Sequence, residues 1–154
     1  METPKIIRPS LSSYMMFAFC ALLLFLYCLY YSLPLFHTLF AVVLFLYSIA
    51  QTRLDYVSIT LDGISRHYNI WQHRSLSWSD ISAVSTSSQQ VNNKIRYTLI
   101  TISTNNPSQK DVKINTRILS KESVQDIAKT LIEKTSATQC DEGIKQLADG
   151  VLFS

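Results

Sequence analysis

A chain of 154 residues with a net charge of +3 has room for one domain of ordinary size and a smaller appendage. So small a charge gives no support to a nucleic-acid partner, three glycines leave no phosphate-cradling loop, and three cysteines form no CxxC pair for metal or redox work. Charge is also unevenly placed: Glu2, Lys5 and Arg8 are the only charged side chains before Arg53.

Residues 1–12 read as a short N-terminal segment. From 13 to 51 the chain is apolar and aromatic, with a break at Ser32, Leu33 and Pro34, which predicts two helices at about 13–32 and 35–51 joined by a tight turn. At about 1.5 Å per residue, each is long enough to be expected as a membrane span. Lys5 and Arg8 before the hairpin and Arg53 after it then put both termini on the cytoplasmic side of an inner membrane, with Tyr14, Tyr30, Tyr31 and Tyr47 as interfacial aromatics and His37 near the outer face. A cleaved signal peptide fits less well, because the first apolar run is too long and "LYYSLPLF" is a poor cleavage site. A buried soluble helix pair also fits less well, since both helices are apolar on every face. Cys20, Cys28 and Cys140 read as small apolar filler.

After Arg53 the pattern alternates. "YVSITL" sets Val57, Ile59 and Leu61 on one face, and Asp62-Gly63 is a two-residue hairpin signal before "ISRHYNIW". "RSLSW", "DISAVST", "KIRYTLITIST" and "KDVKIN" follow as strands, with Asn92-Asn93 as one turn and Asn105–Gln109 as a loop. Ser120 is a natural N-cap for an amphipathic helix bearing Val124, Ile127, Ala128, Leu131 and Ile132 on one face. In the tail, 137–154, Ile144, Leu147, Ala148, Val151 and Leu152 fall at the spacing of a short helix that would pack on the sheet, lie on a membrane or meet a partner.

The order "VSITLDGISRHYNIWQHRSLSWSDISAV", a long strand, a short strand and a closing helix resembles the bacterial pleckstrin-homology-like domains. The residues that carry the resemblance are Asp62, Gly63 and Ile64, then Trp78, Asp80, Ile81 and Val84. Several such proteins place two transmembrane helices directly before the domain. The expected fold is therefore a membrane-anchored α+β chain: an N-terminal transmembrane helical hairpin, then a small PH-like antiparallel barrel or sheet over 55–136 capped by a C-terminal helix. Trp78 is expected to pack on the core, and Asp80 to form a turn.

No catalytic constellation, cofactor site or metal site emerges. His67 and His73 lack a third ligand at metal spacing, and Asp62 and Asp80 are accounted for by turns. The expected function is a non-enzymatic inner-membrane protein presenting a cytoplasmic PH-like interaction module, for a protein partner or itself, with no nucleic acid and no small-molecule substrate. One alternative is a membrane-embedded immunity or stress-protection protein acting through its hairpin. Another is anionic-lipid sensing by a basic surface of Arg53, Arg66, Arg74, Lys94 and Arg96.

Overall fold

The computed structural model describes residues 4–32, 34–68, 72–136 and 138–152, with the side chains of Leu11, Ser13 and Thr52 left out. Leu33 in the expected turn, 69–71 at the end of "ISRHYNIW" and the last two residues of the tail lie outside the described residues. The chain opens with a strand: β1 (Lys5–Ile7) precedes both helices and pairs antiparallel with β2 (Tyr56–Ile59), Lys5 opposite Ile59 and Ile7 opposite Val57. Between those two strands run α1 (Leu11–Tyr30) and α2 (Leu35–Leu54), so the helical hairpin is an insertion within a sheet. Pairing across so long an insertion requires the two ends of the hairpin to stand side by side. Small buried residues, Ala21, Cys28 and Ala41, let the two helices lie close enough for that.

The helices stand where hydropathy puts them, but the expectation that they span a membrane is overturned. Among the described residues no helix is long and apolar enough to cross a membrane. The transmembrane hairpin, the multi-pass inner-membrane location, the integral two-span membrane partner, the cytoplasmic placement of both termini and the interfacial role of His37 rested on those spans, and none of them stands.

β3 (Gly63–His67) and β4 (His73–Ser77) complete the first sheet in the order β1-β2-β3-β4. Val57 and Ile59 are buried as the alternation requires, whereas Leu61 lies beyond the strand and is 61% exposed. Gly63 does not serve the two-residue turn that Asp62-Gly63 suggests: the loop is Thr60–Asp62, and Gly63 is a strand residue paired with Ser77. Its lack of a side chain matters because a Cβ there would sit 2.1 Å from the Leu76 carbonyl oxygen. A 3₁₀ turn, Trp78–Asp80, leads to the second sheet, β5 (Ile81–Val91), β6 (Lys94–Thr104) and β7 (Val112–Asn115). "DISAVST" is thus the last residue of that turn, Asp80, followed by the start of an eleven-residue strand. Asn92 and Asn93 close the β5–β6 hairpin with φ of 50° and 60°, the left-handed pair that a tight turn demands.

α3 (Lys121–Lys134) begins as its sequence indicates, with the Ser120 side chain accepting from the Ser123 N–H, and it buries Val124, Ile127, Ala128 and Leu131 in the same core as Ile64, Ile100, Ile102 and Ile114. The tail packs there too. Cys140 forms a parallel bridge with Val84, Asp141 caps α4 (Glu142–Ala148), and Ile144 and Leu147 are buried.

Gly143 seats α4 against β5 and β6. A Cβ there would lie 2.0 Å from Thr86 Oγ1 and 2.7 Å from Tyr97 Cε1. Gly143→Ala is expected to lower stability by about 1–3 kcal/mol, the usual cost of overpacking, as read by chemical denaturation, whereas Ser87→Ala on the exposed stretch of β5 should change little. An unaltered midpoint in Gly143→Ala would mean that α4 does not dock in this way.

Candidate functional site at the junction of hairpin and sheet

Asp55 is the residue on which α2 ends and the sheet resumes. It is the C-cap of α2, its N–H donates to the Gln51 carbonyl at 3.0 Å, and β2 starts at the next residue. Its carboxylate is buried and ion-paired with Arg66 in the middle of β3, while the Tyr14 hydroxyl, from the first turns of α1, donates to its other oxygen. Three elements therefore meet on one carboxylate. Asp55 and Arg66 are only 5% and 2% exposed, so removing one charge would strand the other away from water.

The environment sets the protonation of the group. Burial raises the Asp55 carboxyl above its ordinary value, more than the Tyr14 hydrogen bond and the Arg66 charge lower it. Burial, reinforced by the Asp55 hydrogen bond, holds the Tyr14 phenol well above its ordinary value, so Tyr14 keeps its proton and remains a donor. Arg66 also lies over the Tyr68 ring, 5.3 Å from guanidinium carbon to centroid, and Arg74 from the adjacent strand lies 5.6 Å from the same ring. Arg66 Nε and Nη1 and Gln51 Oε1 are buried without hydrogen-bond partners among the described residues. The Gln51 amide nitrogen donates to the Tyr68 carbonyl at 3.3 Å, a second tie from α2 to the sheet.

Next to this cluster, the β3–β4 register places His67 opposite His73, with ring centroids 4.6 Å apart, and Tyr56 stacks on His67 at 4.2 Å. Burial, then the neighbouring His73, lowers the His67 pKa below 6.5. Among the described residues no group of three His, Cys, Asp or Glu is arranged to hold a metal ion.

The residues of the fold signature occupy distinct structural positions. Ile64, Ile81 and Val84 are core residues, Gly63 permits the close approach of β4, and Asp80 ends the 3₁₀ turn. Trp78 packs partly against the core and donates its indole N–H to the Thr60 carbonyl at 3.1 Å, while its backbone N–H bonds the Asp62 carbonyl. The five basic residues fall into three groups. Arg66 is buried beside Arg74; Lys94 and Arg96 lie at the turn end of β6; Arg53 is exposed in the last turn of α2. Arg74 donates to the Asp111 carbonyl at 2.7 Å.

A four-stranded and a three-stranded antiparallel sheet closed by α3 form the framework that holds these groups, and a known family matches it. The bacterial PH domain family matches residues 2–143. The chain belongs to the bacterial PH domain family. The match begins before β1 and ends inside α4, so it takes in the strand that precedes the hairpin as well as the strands that follow it. No curated protein and no solved structure matches the chain. A PH-like domain is a module for protein or lipid interaction.

Sequence reasoning missed the Tyr14–Asp55–Arg66 cluster. Its one legible signal is Asp55 itself, an acid placed where an uncharged stretch gives way to a strand.

Two measurements test this junction. Asp55→Ala should cost about 3–5 kcal/mol, as expected when a buried pair is broken, Tyr14→Phe about 1 kcal/mol, and Asp55→Ala combined with Arg66→Met should recover much of the loss in chemical denaturation. A cost for Asp55→Ala no greater than that of a surface substitution would remove the pair from its joining role. The second measurement follows from His67. Because its folded pKa is lowered, the unfolded chain binds protons first, and stability present above pH 6.5 declines as pH falls through the lowered folded value. His67→Gln should flatten the slope of the thermal midpoint between about pH 7 and 5.

Proposed function

We propose that this bacterial PH domain protein is a non-enzymatic interaction module that self-associates through its helical hairpin, with the PH-like sheets held against that interface by the Asp55 junction. One observation carries the reading: the hairpin exposes apolar side chains on nearly every turn. Tyr30 is 82% exposed, Leu35 83% and Phe36 74%, and Phe17, Phe19, Leu23, Phe40 and Leu46 are exposed as well. Together the exposed large hydrophobic residues of the two helices offer on the order of 2,000 Å² of apolar surface, several times the largest patch of an ordinary monomer. A stable interface needs about 800 Å² from each partner.

The occupant proposed is a second copy of the hairpin. The surface carries no charged side chain between Arg8 and Arg53, so a two-fold pairing of identical faces brings no like charges together. The inner faces of α1 and α2 are already closed on each other through Ala21 and Ala41, which leaves the outer faces for a partner.

Bismaleimide crosslinking through the exposed Cys20, with sedimentation of the full-length protein over a range of detergent-to-protein ratios, tests this. Discrete dimers or higher closed oligomers are expected, shifting towards monomer in Phe17→Glu and Phe40→Glu. A protein that stays monomeric at every ratio, or that enters lipid vesicles as a monomer, would overturn the reading.

A further inference from the structure

The hairpin surface is apolar, whereas the free edge of the first sheet is polar. In the order β1-β2-β3-β4, β4 has a neighbouring strand on one side only. Bonds from the Tyr68 N–H to the Gln72 carbonyl at 2.9 Å and from the Trp78 N–H to the Asp62 carbonyl at 3.1 Å set the phase of the β3–β4 ladder. In that phase the pairs Ile64–Leu76 and Arg66–Arg74 exchange bonds, and the backbone groups of His73, Ser75 and Ser77 point away from β3. Among the described residues no hydrogen bond reaches those outward N–H and C=O groups. β4 has no proline and its register with β3 is unbroken, so the free row is continuous.

A cleft runs along this edge. Two open cavities of about 450 and 420 Å³ share His73, Ser75 and Gln109 in their linings, which makes them one trough between β4 and the loop that joins β6 to β7. β7, which follows that loop, has partners already: the Tyr68 hydroxyl donates to the Lys113 carbonyl at 2.9 Å and accepts from the Lys113 N–H at 3.1 Å, and Arg74 donates to the Asp111 carbonyl. Unmet backbone hydrogen bonding therefore lies on the β4 side. The two ends of the trough differ in charge. Asp62 and Asp80 line it near Ser77, whereas Arg74 and Lys110 line it near His73.

We propose that β4 takes up an extended segment of a partner protein as a fifth, antiparallel strand of this sheet, with a basic residue opposite Ser77, beside Asp62 and Asp80, and an acidic residue opposite His73, beside Arg74 and Lys110. Main-chain bonds to His73, Ser75 and Ser77 hold the segment, and the two charges fix its direction and register. Ser77 and His73 are about 13 Å apart along the strand, so the basic residue precedes the acidic one by four positions and both side chains fall on one face of the added strand. Hairpin self-association uses other residues, so the two readings stand or fall separately.

The capped peptide Thr-Lys-Val-Thr-Val-Glu-Thr tests this with full-length protein in non-ionic detergent, followed by amide shifts and amide hydrogen exchange. Saturable shifts are expected at His73, Ser75 and Ser77, whose exchange should slow, while exchange at Arg74 and Leu76, already bonded to β3, stays as it was. N-methylation of the central threonine, which pairs with Ser75, should abolish binding, and N-methylation of either valine, whose N–H faces away, should leave it. Lys110→Glu should weaken binding about tenfold, and replacing the peptide's glutamate by lysine should restore much of the loss; Lys110 is exposed, so this variant should fold. Failure to saturate, equal binding of the peptide with its lysine and glutamate interchanged, or indifference to N-methylation of the central threonine would overturn the site. Protection of Ser75 and Ser77 that grows with protein concentration in the absence of peptide would overturn it too, since it would put the β4 of a second copy on the edge.

Discussion

The ion pair between Asp55 and Arg66 is the constraint on which the arrangement depends. A chain that leaves a sheet after β1, runs through two helices and re-enters the same sheet at β2 must fix where it re-enters. Asp55 does this by ending α2 and meeting a cation from β3, while Tyr14 brings the start of α1 to the same carboxylate. Burying two charges is unfavourable in itself, so the pair adds little to stability, whereas removing either partner would strand the other charge away from water. The Gln51 bond to Tyr68, and the packing of Arg66 and Arg74 on the Tyr68 ring, extend the same junction to the residue that follows β3.

The remainder of the fold follows from closing two small sheets. Neither has enough apolar surface alone, and the single core they share draws on β1 to β7, α3 and α4. Close approaches settle the seams: β3 against β4 at Gly63, and α4 against β5 and β6 at Gly143. The tail contributes directly, with Cys140 against Val84 and the Gln125 amide donating to the Ala148 carbonyl at 3.0 Å. Membership of the bacterial PH domain family accords with this plan, since the match runs from before β1 into α4.

Two surfaces of unlike chemistry result. The hairpin is uncharged and apolar, suited to a partner that buries area without specific charge. The groove beside β4 is polar, lined by His73, Arg74, Ser75, Ser108, Gln109 and Lys110 among others.

Periodicity and local chemistry are visible in a sequence, and here they were enough for the helical hairpin, the strands from Val57 to Ile114, the Asn92-Asn93 turn and the Ser120-capped helix. Each is fixed by neighbours a few residues apart, through apolar spacing, left-handed turn preference or a capping side chain. Hydropathy also made the two helices look like membrane spans, because a sequence reports how apolar a helix is and not what covers it. Contacts between distant segments belong to the tertiary structure alone. Lys5–Ile7 has no strand-like signature, and it is a strand only because β2 offers it an edge. Gly63 looks like a turn residue, and only the Leu76 carbonyl beside it shows that it serves a close approach. Arg66 is one of several arginines in the sequence; the register of β2 and β3 and the end of α2 bury it against Asp55 rather than leave it on a basic surface.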